Sequence, residues 1–83
     1  MRLKFRNRTF KIKYTHLGKR LDGNCLDESE VIEINKRLRG RNKLETEVHE
    51  TLHACFPMLK EKIIDRSAAD IARFLWRVGY RIR

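Results

Sequence analysis

Asn42-Lys43-Leu44-Glu45-Thr46-Glu47-Val48-His49-Glu50-Thr51-Leu52-His53-Ala54-Cys55-Phe56-Pro57 reads as a single helix with both ends marked. Asn42 is an N-cap residue with Glu45 three positions on, the spacing at which a carboxylate reaches back to the cap. Pro57 disfavours helical backbone at the residue before it, so the helix is expected to end at about Phe56. Leu44, Val48, Leu52, Cys55 and Phe56 recur at helical spacing and define the expected core face. His49 and His53 lie at the edge of that arc, and Lys43, Glu47, Thr51 and Ala54 fall on the expected water side.

Outward from this helix, the composition splits near Gly40. Upstream, Leu3 and Phe5, then Phe10, Ile12 and Tyr14, alternate with Lys and Arg in the period of half-buried strands, with Asn7-Arg8 as a turn. Asp22-Gly23-Asn24 is a second turn, Cys25-Leu26 a further short strand, and Val31-Ile32-Glu33-Ile34-Asn35 a strand with Ile32 and Ile34 on one face. Downstream, a second helix is expected from about Leu59 to Val78, stopping at Gly79. The expected fold is α+β: a small antiparallel sheet of three to four strands followed by two α-helices, as one domain over residues 1–83. A chain this short buries only roughly 60% of its unfolded surface, so a bound ligand would add materially to its stability.

Lys and Arg number 20 against 11 Asp and Glu, a formal net charge of +9. That excess attracts polyanions at long range, and equally describes a solvated cationic surface. Hydrophobic residues make up 41% of the chain, which excludes a disordered tail. No apolar run approaches the roughly 20 residues that cross a bilayer, so no membrane partner is expected. Met1-Arg2-Leu3-Lys4-Phe5-Arg6 lacks the apolar segment of a signal peptide. Cys25 and Cys55 are too few for a disulfide scaffold and are expected to be reduced, in a cytoplasmic location.

The first helix carries His49-Glu50-Thr51-Leu52-His53, an HExxH motif. Two histidines four apart share a helix face, so both rings can reach one metal ion. Glu50, about 100° further round, is turned away from the line joining the rings and toward a metal-activated water. A catalytic zinc site takes three protein ligands and keeps one position open. Candidates for the third are His16, Cys25, Cys55 and the carboxylates of the second helix. That helix has an apolar arc of Ile63, Ile64, Ala68, Ile71, Ala72, Phe74, Leu75 and Val78. Glu61 falls inside the far end of the arc, Asp65 beside it, and Asp70 at the opposite edge. A carboxylate on a buried face is costly unless paired or metal-bound, which favours Glu61 as third ligand. Asp65, one turn later, suits the second N–H of a ligating histidine. Lys62, Arg66, Arg73 and Arg77, extended by Arg81 and Arg83, form a basic stripe that is either solvated or a nucleic-acid contact. Trp76 and Tyr80 are expected to pack.

From Val31-Ile32-Glu33-Ile34-Asn35 through the HExxH helix to Ala69-Asp70-Ile71-Ala72-Arg73-Phe74-Leu75-Trp76-Arg77-Val78-Gly79-Tyr80, the chain resembles the small HExxH proteins of tailed bacteriophages known as minigluzincins. The resemblance implies a zincin-like minimal core in the host cytoplasm. It implies His49, His53 and Glu61 as zinc ligands, Glu50 as general base, and the strand Val31–Asn35 as the edge that pairs an extended peptide substrate. His16 and Tyr80 are candidates for stabilising the oxyanion. The expected function is zinc-dependent peptide hydrolysis of a peptide or protein substrate. The alternatives are a non-catalytic, zinc-stabilised basic module that binds nucleic acid or a partner protein, and a vestigial site.

Overall fold

In a computed structural model that describes residues 1–80, the chain forms four strands and then two helices. These are β1 (Arg2–Phe5), β2 (Arg8–Thr15), β3 (Gly23–Leu26), β4 (Val31–Asn35), α1 (Gly40–Cys55) and α2 (Glu61–Arg77). The α+β reading holds. The sheet order is β1-β2-β4-β3, with β1–β2 and β3–β4 antiparallel. The β2–β4 pairing is parallel, Ile12 opposite Ile32 and Tyr14 opposite Ile34, so the sheet is mixed where an antiparallel one was expected.

The reason lies in where the apolar residues go. Ile32 and Ile34 are almost wholly buried, so the strand that carries them takes an interior place with both edges paired. The chain leaves β2, crosses in residues 16–22, lays β3 down at the far edge and returns through β4 between them. Asn35 fixes that crossing. Fully buried, it donates from Nδ2 to the carbonyls of Gly18 (2.8 Å) and Leu21 (2.9 Å), and its Oδ1 accepts from the Arg37 amide (3.2 Å). Arg37 adds an ion pair to Asp22 at 2.7 Å. The β1–β2 turn places Arg6 and Asn7 at φ 54° and 61°, the left-handed pair that a two-residue hairpin favours.

Phe10, Ile32, Ile34, Leu38 and Ala54 form the core between sheet and α1. The expected core face of α1 is therefore corrected. Thr46, Glu50 and Ala54 are its buried residues, whereas Leu44, Val48, Leu52 and Cys55 are half-buried and Phe56 is exposed. The helix lies close to the sheet edge at Gly23, where Thr46 packs against the bare backbone. Glu50 shares that side of the helix and is carried to the sheet with it. The Asn42–Glu45 capping box does not form: α1 starts earlier, with Arg39 at the N-cap and no side-chain cap.

On α2, Ile64, Ala68 and Ala72 are buried, while Ile63, Ile71, Phe74 and Val78 remain exposed. The expected apolar arc is thus covered along one half only. α2 ends as expected. Gly79 takes φ 106°, its amide donates to the Trp76 carbonyl (3.2 Å), and the Tyr80 amide donates to the Leu75 carbonyl (3.0 Å). This is the paired closure that a left-handed glycine permits. Among the described residues, no helix is long and apolar enough to cross a membrane.

Candidate metal centre

His49 and His53 stand one turn apart on α1, on the side that meets the start of α2. Their Nε2 atoms are 3.2 Å apart. Glu61, in the first turn of α2, places Oε1 2.9 Å from His49 Nε2 and Oε2 2.8 Å from His53 Nε2. The two Nε2 atoms and the two oxygens of one carboxylate thus form a small cluster with contacts of 2.8–3.2 Å. Ligands about 2.0–2.1 Å from a tetrahedral zinc are separated by roughly 3.3 Å, close to these contacts. The donor set, two imidazoles and a carboxylate, also suits zinc.

Asp65 lies one turn beyond Glu61, with Oδ1 3.2 Å from His49 Nδ1. An Nδ1–H directed at that carboxylate leaves the lone pair of His49 on Nε2, facing His53 and Glu61. Asp70 is turned elsewhere and pairs with Arg73 at 2.9 Å. Glu61 and Asp65 are largely exposed, at 62% and 59% of their side-chain surface, so the mouth of the site opens to solvent.

Glu50 occupies the floor. It is 6% exposed and lines the cleft between α1 and β3 together with Gly23, Asn24, Cys25, His49, His53 and Glu61. Burial pushes its carboxyl up to about 7; His49 pulls it down, and Glu61 and Asp65 raise it. A carboxyl held near neutrality is suited to taking and returning a proton.

The opposite wall is β3, a free sheet edge. The Asn35 amide donates to the Asp22 carbonyl at 2.7 Å, which sets the alternation along the pair. Asn24 and Leu26 turn their backbone groups to β4, and Gly23 and Cys25 turn theirs outward over the cleft. The strand implied by the resemblance to receive a peptide, Val31–Asn35, is paired on both sides and has no edge to offer. Gly23 is needed at this wall. A Cβ there would lie 2.7 Å from Thr46 Cγ2 and 3.0 Å from both Cγ and Oε2 of Glu50. Gly23→Ala is expected to destabilise the fold by about 1–3 kcal/mol and to displace the Glu50 carboxylate; thermal melting measures the first effect.

The other expected site residues fall elsewhere. His16 and Tyr80 are exposed and do not line the cleft. Cys25 lines it, but burial, with Glu50 and Asp27, pushes its thiol up to about 11 against the pull of Arg6 and Arg8. A thiol that keeps its proton at neutral pH is a poor ligand. Cys55 is free and half-buried near the end of α1. Lys62, Arg66, Arg73 and Arg77 are all exposed on α2, on the face turned away from the cleft; Arg81 and Arg83 lie outside the described residues. Gly23, Thr46 and the outer edge of β3 carried no signal in the sequence beyond a turn at Asp22-Gly23-Asn24. Comparison of the chain with protein-family models, with curated proteins and with solved structures found no match.

Proposed function

We propose that this chain holds one zinc ion through His49, His53 and Glu61 and hydrolyses peptide bonds with Glu50 as general base. The observation that carries this reading is the cluster of two imidazoles and one carboxylate, with contacts of 2.8–3.2 Å, beside a buried carboxylate. Zinc supplies Lewis acidity: it polarises a carbonyl oxygen and lowers the pKa of a water in its open position.

The chain's own residues do the rest. The Glu50 carboxylate accepts the proton of the attacking water and returns it to the departing amine nitrogen. Burial keeps its charge poorly solvated, which sharpens its basicity. The outward backbone groups of Gly23 and Cys25 receive an extended peptide by adding a strand to the edge of β3, which aligns its backbone across the cleft. Asp65 holds the His49 ring in orientation.

Zinc titration of variants tests the ligand set. Glu61→Ala is expected to weaken zinc binding by at least about tenfold, and Asp65→Ala to weaken it by a smaller factor through His49. Asp70→Ala is expected to leave affinity unchanged. Intact binding in Glu61→Ala, with loss in His16→Ala or Cys25→Ala, would refute the assignment.

A further inference from the structure

The outer face of α2 presents two parallel stripes that the zinc site does not use. Ile63, Ile71, Phe74 and Val78 are exposed by 47%, 39%, 63% and 55%. At about 100° per residue they fall within an arc of about 80°. Alongside them Lys62, Arg66, Arg73 and Arg77 occupy a second arc of about 60°. Glu61 and Asp65 lie on the other side of the helix, while Asp70 lies between the two arcs and pairs with Arg73 at 2.9 Å. Met58, 74% exposed, stands in the chain just before α2, and Tyr80, 64% exposed, just after it. Side chains of this size are left in water singly on most surfaces; here four share one arc, with Ser67 between Ile63 and Ile71.

We infer that this face of α2 is a peripheral docking surface for an anionic phospholipid bilayer, with the helix lying in the plane of the interface. The pairing of stripes is the argument. An apolar stripe with a row of cations along its flank places its hydrocarbon below the headgroups and its charges at phosphate level. A nucleic acid would engage Lys62, Arg66, Arg73 and Arg77 while leaving Ile63 and Phe74 in water. A second copy packed antiparallel would bring the cation row against its own counterpart. The net charge of +9 adds long-range attraction to the same partner. Docked in this way, the chain keeps the zinc cleft turned away from the membrane and open to solution.

Vesicle co-sedimentation of the zinc-loaded chain tests this. The probes are vesicles of phosphatidylcholine alone and vesicles in which part of it is replaced by phosphatidylglycerol. Binding is expected to the anionic vesicles, to fall steeply with added salt, and to be weak on the neutral ones. Ile63→Ser/Phe74→Ser and Arg66→Gln/Arg73→Gln are each expected to lower the affinity by about tenfold or more. These positions are exposed, so both variants are expected to keep the far-ultraviolet circular dichroism and the zinc content of the parent. Absence of binding to anionic vesicles would overturn the proposal. So would equal binding by Ile63→Ser/Phe74→Ser, which would leave only a charge effect. Two further results would overturn it: a dimer in sedimentation that Phe74→Ser dissociates, or capture of duplex DNA without any vesicle binding.

Discussion

Glu50→Gln is expected to lower peptide hydrolysis by about a hundredfold to ten-thousandfold while zinc content stays at that of the parent. The amide keeps the size of the side chain and its place under β3, and removes only the proton acceptor. Since the substrate is unidentified, a broad peptide library and autolysis at high protein concentration provide the assay. Loss of zinc in the variant would make Glu50 a ligand and overturn its role as base. Activity equally negligible in both proteins would favour a non-catalytic, zinc-stabilised module.

The same substitution has a signature in the metal-free chain. A glutamate in the unfolded chain titrates near 4.3, whereas burial holds the folded Glu50 at about 7. Between those values the folded state binds the proton more tightly, so protonation favours folding. Stability therefore falls as pH rises from about 4.3 to about 7, by at most about 4 kcal/mol, and stays low above it. Glu50→Gln removes that cost. Without metal, the variant is expected to melt higher than the parent at pH 8, and the difference is expected to vanish near pH 4. A difference independent of pH would contradict the buried position of this carboxylate.

Chelation is expected to have the largest effect on stability. His49, His53 and Glu61 join the end of α1 to the beginning of α2. Among the described residues, the ion pairs between the two helices are those of His49 and His53 with Glu61 and of His49 with Asp65. Zinc at about a thousandfold over its dissociation constant stabilises a folded state by about 4 kcal/mol. For a domain of this size, removing it corresponds to a fall in melting temperature of roughly 15 to 30 °C. Calorimetry with and without chelator measures it. His53→Ala is expected to melt at the chelated value whether or not zinc is added, and an unchanged transition on chelation of the parent would contradict the role given to the metal.

The two histidines, Glu50 and the α+β order were legible in the sequence because each rests on local spacing. HExxH needs one helix, and the strands announce themselves by alternation. Glu61 was singled out as a carboxylate inside the apolar arc on a buried face, with Asp65 beside it; both are in fact exposed, although they stand 2.8–3.2 Å from the imidazoles. What the sequence hid is what depends on which faces meet. The apolar arc of α1 pointed to Leu44 and Val48, yet the sheet receives Thr46, Glu50 and Ala54, with Thr46 and Glu50 packed against the bare backbone of Gly23. The parallel β2–β4 pairing was hidden for a related reason. It depends on the buried Asn35 amide tying down residues 16–22, a long-range contact with no sequence period. The place of β3 at the edge beside the cleft follows from that crossing, and the strand that the resemblance implied as a peptide-pairing edge, Val31–Asn35, lies inside the sheet.

X-ray absorption at the zinc edge, on protein loaded with one equivalent of metal, tests the central claim most directly. The account predicts a first shell of nitrogen and oxygen at about 2.0–2.1 Å, with the outer-shell scattering of two imidazoles and no sulfur. It also predicts loss of one imidazole in His53→Ala. Sulfur at about 2.3 Å, which would place Cys25 or Cys55 on the metal, or a chain that retains no zinc at all, would contradict it.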